Sequence, residues 1–297
     1  MCHAPHPWNP PIDGKHIQYA HDPTSSPAVS AKDRTFVQQV VGTFLFYSRC
    51  VDPTMLTALN ALAEEQESPT AATMKKVQQF LDYAASHQNS IIRYRASAMQ
   101  LWIDSDAAYL VSAKARSRVA GYYFLSDRVL DIKSPQANPT PNGPLLVECK
   151  LLKFVQSSSA EAEIGGLFHN GTTACPIIII LNALGHQQQP VPLKTDNSTG
   201  AKFANRNIKH RLTKHMDMRY HWIQCRTDQG LFIVYWAPGS ENLADYFTKH
   251  HHPIVHRRAR PLYLYIRNPS DEVRYALQIL TDASRRGCTD PPLTTDN

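Results

Sequence analysis

The segment Ala98-Met99-Gln100-Leu101-Trp102-Ile103-Asp104-Ser105-Asp106-Ala107-Ala108-Tyr109 constrains the fold more than any other. An apolar, aromatic-bearing run that ends on aspartates and then small residues reads as a buried central strand that carries a carboxylate to the edge of a sheet. On its own, a D-x-D is more often a strand running into a polar turn. Three further acidic residues at the ends of expected elements change that balance. They are Glu163 in Ser157-Ser158-Ser159-Ala160-Glu161-Ala162-Glu163, Asp196 in Leu193-Lys194-Thr195-Asp196-Asn197, and Asp245 in Asn242-Leu243-Ala244-Asp245-Tyr246-Phe247-Thr248-Lys249. Four carboxylates in the order D, E, D, D make a candidate metal site.

The rest of the chain supplies elements for such a sheet. Residues 1–34 carry Pro5, Pro7, Pro10, Pro11, Pro23 and Pro27 with almost no apolar periodicity, so an extended, poorly packed segment is expected. Residues 35–97 read as a helical module. Phe36, Val40, Val41 and Phe44 recur at helical spacing, a second helix restarts at Asp52-Pro53-Thr54, and a third starts at Ser68-Pro69-Thr70. Strands are expected at 98–109, 117–126 and 143–150, as an antiparallel meander. Ser157-Ser158-Ser159 then caps a helix directed towards Leu184 and stopped by Gly185, with a kink expected at Pro176 and a conflicting β-branched run at Ile177–Ile180. A strand at 190–195, helices at 197–205 and 209–229, a strand at 231–236 and a helix at 241–249 follow. This order implies a mixed sheet with helices on both faces. Residues 257–297 read as a mobile tail with one helix near 271–286, and His250, His251 and His252 as a flexible cationic stretch.

Composition narrows the class. The chain has 297 residues and 42% hydrophobic content, enough to bury a core. With 31 basic against 25 acidic residues the net charge is +6, compatible with a polyanionic partner but not specific for one. Cys2, Cys50, Cys149, Cys175, Cys225 and Cys288 form no C-x-x-C, which argues for reduced thiols inside a cell and against a zinc finger or disulfide framework. The N-terminus has no basic and apolar signal pattern, and the window Ala174–Leu184 is too short to span a bilayer, so no membrane segment is expected.

Six phrases, in order, carry a resemblance. Asp106-Ala107-Ala108-Tyr109, Arg116-Ser117-Arg118 before Ala120-Gly121-Tyr122, Ser158-Ser159-Ala160-Glu161-Ala162-Glu163, Thr195-Asp196-Asn197-Ser198, Lys214-His215-Met216-Asp217-Met218-Arg219-Tyr220 and Asn242 to Lys249 resemble the ribonuclease H domain of copia-type retrotransposon polyproteins. The helices before them resemble the connection segment of the reverse transcriptase.

The resemblance implies an α/β fold: a ribonuclease H-like five-stranded mixed sheet, three antiparallel strands and then two parallel, flanked by helices over residues 98–256. It implies hydrolysis of the RNA strand of RNA–DNA hybrids with two Mg²⁺ ions, or Mn²⁺ in their place. Catalytic and metal-binding roles fall by position on Asp106, Glu163, Asp196 and Asp245. Asp104 and Glu161 are the alternates; Glu163 fits better because Ile164-Gly165-Gly166 follows it. Hard carboxylate oxygens suit those metals, and two ions about 3.5–4 Å apart can serve the attacking and leaving oxygens together.

Lys114, Arg116, Arg118, Lys202, Arg206, Lys209, Arg211 and Lys214 are the expected nucleic-acid contacts, with His210 beside them. The remainder of the polyprotein, with its reverse transcriptase, is the implied partner, and an intracellular setting, cytoplasmic in a virus-like particle with access to the nucleus, the implied location. No Tyr/Phe-x-Asp-Asp polymerase signature occurs, and the loop Pro238-Gly239-Ser240-Glu241 lacks the histidine many ribonucleases H place there. A relic that binds nucleic acid without cutting it is the alternative. An integrase or transposase of the same superfold would place its glutamate last, not second.

Overall fold

The structure, a computed structural model, describes residues 4–8, 26–112, 116–128, 139–206 and 217–265, without the side chains of residues 217, 218 and 220. Five strands, β1 (Gln100–Ser112), β2 (Arg116–Ser126), β3 (Pro144–Leu151), β4 (Val191–Thr195) and β5 (Phe232–Trp236), form one sheet in the order β3-β2-β1-β4-β5. β1, β2 and β3 pair antiparallel, while β4 runs parallel to β1 and β5 parallel to β4. The expected mixed sheet, three antiparallel strands and then two parallel, is the one observed. β1 is central, and it is buried from Leu101 to Ala107.

Strand alternation decides what each face receives. Trp102 packs with Tyr122, Phe124, Phe247 and Tyr263 on one face. Leu101 and Ile103 pack with Leu167, Ile178, Leu193 and Val234 on the other. Asp104 and Asp106 share the parity of Trp102, so both carboxylates project from the first face.

Helices α1 (Ala31–Cys50), α2 (Leu56–Glu65) and α3 (Ala71–Ser86) precede the sheet. They close around a core of their own, with Val37, Leu59, Leu62, Val77, Phe80 and Tyr83 buried. Side chains fix their starts: Asp33 N donates to Ser30 Oγ at 3.2 Å, and Thr70 and Thr73 form a capping box. α4 (Ser159–Ala183), α5 (Ser198–Ala204) and α6 (Asp217–Asp228) lie among the later strands, and α7 (Pro253–Tyr263) packs on the first face.

Three expectations about the elements are corrected. The N-terminal segment is neither wholly extended nor loose, because α1 begins at Ala31 and Ala4 and His6 are buried. Residues 26–30 also gain backbone partners: Val29 N donates to Pro69 O and Ala71 N to Pro27 O, so the prolines contribute acceptors and need no donor. The helix expected to run from Ser159 towards Leu184 is observed: α4 continues through Pro176, and the conflicting isoleucine run is split between its buried and exposed sides. Ile178 is 5% exposed and Ile179 67%; burial of that stripe outweighs the local cost of a proline.

With 25 residues and a mean hydropathy of 1.5 in its most apolar window, α4 is, among the described residues, the one helix long and apolar enough to cross a membrane; half of that window is buried inside the protein.

The helix expected at 241–249 is instead two 3-10 turns, Gly239–Glu241 and Asp245–Phe247. The backbone groups a helix would pair are already taken. Lys194 Nζ donates to Glu241 O at 2.6 Å, Leu243 N donates to Asp104 Oδ2 at 2.9 Å, and Ala244 N donates to the Asn242 side chain at 3.0 Å. Lastly, the expected tail from residue 257 starts inside α7, whose Arg260 and Tyr263 are buried. The helix expected near 271–286 lies outside the described residues.

Candidate active site

Three elements bring the aspartates together. Asp106 sits on central β1, Asp196 follows β4, the parallel neighbour of β1, and Asp245 opens the second 3-10 turn. One carboxylate oxygen from each lies within 4.8 Å of the other two. Glu163, in the second turn of α4, flanks this trio: it is buried, and Thr195 Oγ1 donates to its Oε2 at 3.5 Å.

α4 is locked in place by Asn170, which donates to Ser105 Oγ and to Ala120 O, both at 2.8 Å, and accepts from the Tyr123 hydroxyl. Gly121 permits that approach, since a Cβ there would lie 2.3 Å from Asn170 Oδ1. At the other wall a Cβ on Gly239 would lie 3.0 Å from Asp196 Oδ2.

Crowded carboxylates repel. At about 4 Å and an effective dielectric near 20, each ionised pair costs roughly 4 kcal/mol. Burial, with Asp245 and Asp196 adding to it against the opposing Thr248 hydrogen bond, pushes Asp106 up to about 6. Burial and then Asp106 and Asp196 push Glu163 well above the usual glutamate range. Burial and Asp245 raise Asp196.

Two polar groups oppose the repulsion. Thr248 Oγ1 donates to Asp106 Oδ2 at 2.6 Å, and Lys249 Nζ pairs with Asp245 Oδ1 at 2.7 Å. Burial alone would lower Lys249, but its bond to Asp245 holds it above the ordinary lysine range. The donor set, all carboxylate oxygens under mutual strain, fits a hard divalent cation.

The two alternates have other work. Asp104 is buried against Lys194, with Nζ 2.8 Å from Oδ2. Glu161 accepts from Ser157 N and Oγ, both at 2.6 Å, at the start of α4. Thr248 and Lys249 were missed as site residues. Their signal was present in the phrase Asn242 to Lys249, where only the aspartate was read for chemistry. Trp236, which donates from Nε1 to Asp196 O at 2.8 Å, had no sequence signal.

No family model matches the chain. It is 24% identical over 209 residues to the retrovirus-related Pol polyprotein of transposon TNT 1-94 of Nicotiana tabacum, covering 70% of this chain and 15% of that protein. It is also 24% identical over 219 residues to the Pol polyprotein of transposon RE1 of Arabidopsis thaliana, covering 73% of this chain and 14% of that protein. Its homologues are retrovirus-related Pol polyproteins of plant copia-type transposons. The chain spans only those small shares of the relatives it matches.

Among solved structures it is similar to the N-terminal ribonuclease H domain of a Mycobacterium tuberculosis protein, at 13% identity and a TM-score of 0.34, over 55% of this chain and 97% of that one. It is similar also to ribonuclease H1 of Halobacterium salinarum, at 12% identity and a TM-score of 0.32, over 50% of this chain and 93% of that one.

The structure divides the basic residues expected to hold nucleic acid. Arg116 and Lys202 are exposed. Arg118 is not available: it is buried, and its Nη2 pairs with Glu64 at 2.8 Å. Arg206 is exposed but held by Asp228 at 2.5 Å. Lys114, Lys209, His210, Arg211 and Lys214 lie outside the described residues.

The three histidines are not a free tail either. His250 stacks edgewise on His6 at 4.1 Å, His251 bonds Tyr246 O through Nε2 at 2.9 Å, and His252 caps α7 by accepting from Ile254 N.

Proposed function

We propose that the chain is a metal-dependent ribonuclease H that hydrolyses the RNA strand of RNA–DNA hybrids during retrotransposon reverse transcription. The observation that carries this reading is the convergence of Asp106, Asp196 and Asp245, with Glu163 beside them, from four separate elements onto one edge of the sheet. In this reading residues 98–256 form the nuclease and residues 35–97 the connection module that faces a polymerase partner. The setting is cytoplasmic.

Two Mg²⁺ ions, or Mn²⁺, would supply an activated water and charge neutralisation at the leaving oxygen. Asp106, Asp196 and Asp245, with Glu163 beside them, would hold them, Asp106 being the most buried of the converging trio. Glu163, whose burial and acidic neighbours raise its proton affinity, would help to position the attacking water. Thr248 fixes the rotamer of Asp106, and Lys249 steadies Asp245 while the cations are away.

The test is cleavage of a labelled hybrid in Mg²⁺ or Mn²⁺, wild type against Asp106→Asn. Cutting confined to the RNA strand, lost by at least about a hundredfold in the variant and abolished by a chelator, is the expected result. Hybrid that is bound but never cut in either metal would instead favour a binding protein with a retired active site.

A further inference from the structure

We propose that a cleft built from residues 91–95, the loop before β3 and the end of α7 is a second nucleic-acid contact, one that seats backbone phosphates of the duplex away from the carboxylates. It rests on the nucleic-acid reading above. The cleft has a volume of about 360 Å³, and Arg93 and Arg95 both line it. That is room for about one nucleotide's sugar and phosphate.

The walls are built, not incidental. Arg95 N donates to Asn142 Oδ1 at 2.8 Å, and Asn142 Nδ2 donates back to Arg95 O at 3.0 Å. Tyr265 N donates to Ile91 O at 2.7 Å. A Cβ on Gly143 would lie 2.8 Å from Arg93 O, so the loop closes on the arginine segment only through a glycine.

The cleft is cationic. No acidic residue lines it, and among the described residues Arg93 and Arg95 form no ion pair, whereas Arg118, Arg206 and Arg260 are held by Glu64, Asp228 and Asp52. The Arg93 guanidinium instead lies 3.6 Å from the centroid of the Tyr265 ring, and Arg95 donates to Pro141 O.

A guanidinium stacked on an aromatic face keeps its edge N–H groups directed outward, the geometry that meets a phosphate bidentately. The cleft also shares a face with the active site. Tyr263, one of its lining residues, packs on Phe247 at 5.0 Å, and Phe247 closes the turn that Asp245 opens. A duplex resting on the carboxylates therefore has its flanking backbone to place against this side of the sheet.

The experiment uses the full chain, with Ca²⁺ replacing Mg²⁺, and measures the anisotropy of a labelled RNA–DNA hybrid over a salt series. Arg93→Met with Arg95→Met should weaken binding about tenfold and flatten the salt dependence by about one to two released counterions. Arg93→Lys with Arg95→Lys should recover part of the affinity, because charge is kept and the fork is lost. Unchanged affinity and slope in the methionine pair overturn the proposal.

If the methionine pair fails to fold, hydrogen exchange on the wild type decides: protection at residues 91–95 and 141–143 on adding hybrid supports the contact, and its absence overturns it. Protection of the same residues by inorganic phosphate or adenosine monophosphate, with none from hybrid, assigns the cleft to a small anion and overturns the duplex contact. A chain that cuts hybrid but shows no arginine effect defeats the cleft alone; a chain that cuts nothing yet loses duplex affinity in the methionine pair defeats the nuclease alone.

Discussion

At Asp106 burial outweighs the Thr248 hydrogen bond, and the carboxyl is pushed up to about 6 from an ordinary 3.8. The folded state therefore holds a proton that the unfolded chain has released over that window. Its stabilising share is complete below the ordinary value and is lost as pH rises through about 6, a difference of about 3 kcal/mol for some two pKa units. His6, His250 and His256, pushed down by burial to about 4, 3 and 3, act the other way, destabilising as pH falls below their ordinary 6.5.

The clean readout is a difference between proteins. In metal-free melts Asp106→Asn should raise Tm over the wild type above pH 7 and match it near pH 4, while Mn²⁺ should raise the wild-type Tm more than the variant's. A variant that melts lower than wild type at high pH would contradict the repulsion account. Lys249 gives a second prediction. With its ammonium 2.7 Å from Asp245, it competes with any cation there, so Lys249→Met should tighten Mn²⁺ binding several-fold by titration calorimetry without nucleic acid. Equal or weaker binding would show that Lys249 is no competitor.

The stretch from Asn242 to Lys249 shows where sequence reading stops at the level of elements. Its composition favours a helix, and that was the expectation. What prevents one is long-range: Lys194, Asp104 and Ser105, far off in sequence, bond to Glu241 O, Leu243 N and the Asn242 side chain.

β1, by contrast, was legible because a run from Leu101 to Ile103 ending in Asp-Ser-Asp has one comfortable conformation, buried and extended. Its D-x-D also settled which face both carboxylates share, though the bond to Lys194 that separates Asp104 from the site could not be seen. The basic residues fared worst. A sequence shows charge but not partners, so Arg118 and Arg206 look available in it while nothing marks out Arg93 and Arg95.

Lys194 carries the prediction at this scale. Lys194→Met leaves Asp104 buried without its ion pair and frees Glu241 O, so urea unfolding should show a loss of about 3–5 kcal/mol. Arg206→Met, at an exposed pair with Asp228, should leave the midpoint unchanged.

Across the whole molecule, the helices before the sheet are tied to it by buried polar bonds as well as apolar contact. Arg260 of α7 pairs with Asp52 at 2.9 Å and donates to Ser90. Tyr83 of α3 bonds His256 Nε2 at 2.7 Å, and Tyr246 bonds the other nitrogen of the same ring. Glu64 of α2 holds Arg118 of β2. Bonds of this kind leave uncompensated groups if the two parts separate, so calorimetry should show one unfolding transition, and Arg260→Met should lower its midpoint by several degrees. Two resolved transitions would mean the parts unfold independently.

The carbonyl of Phe247 makes the link specific. It accepts from Thr57 on α2 at 3.1 Å and from Cys149 on β3 at 3.2 Å, and it belongs to the short turn that opens with Asp245. The seat of Asp245 is thus tied to its upstream neighbour: without α2 the Phe247 carbonyl loses one of its two donors. Excision at residue 98 should therefore loosen the seat of Asp245 while leaving Asp106, Glu163 and Asp196 on their own elements.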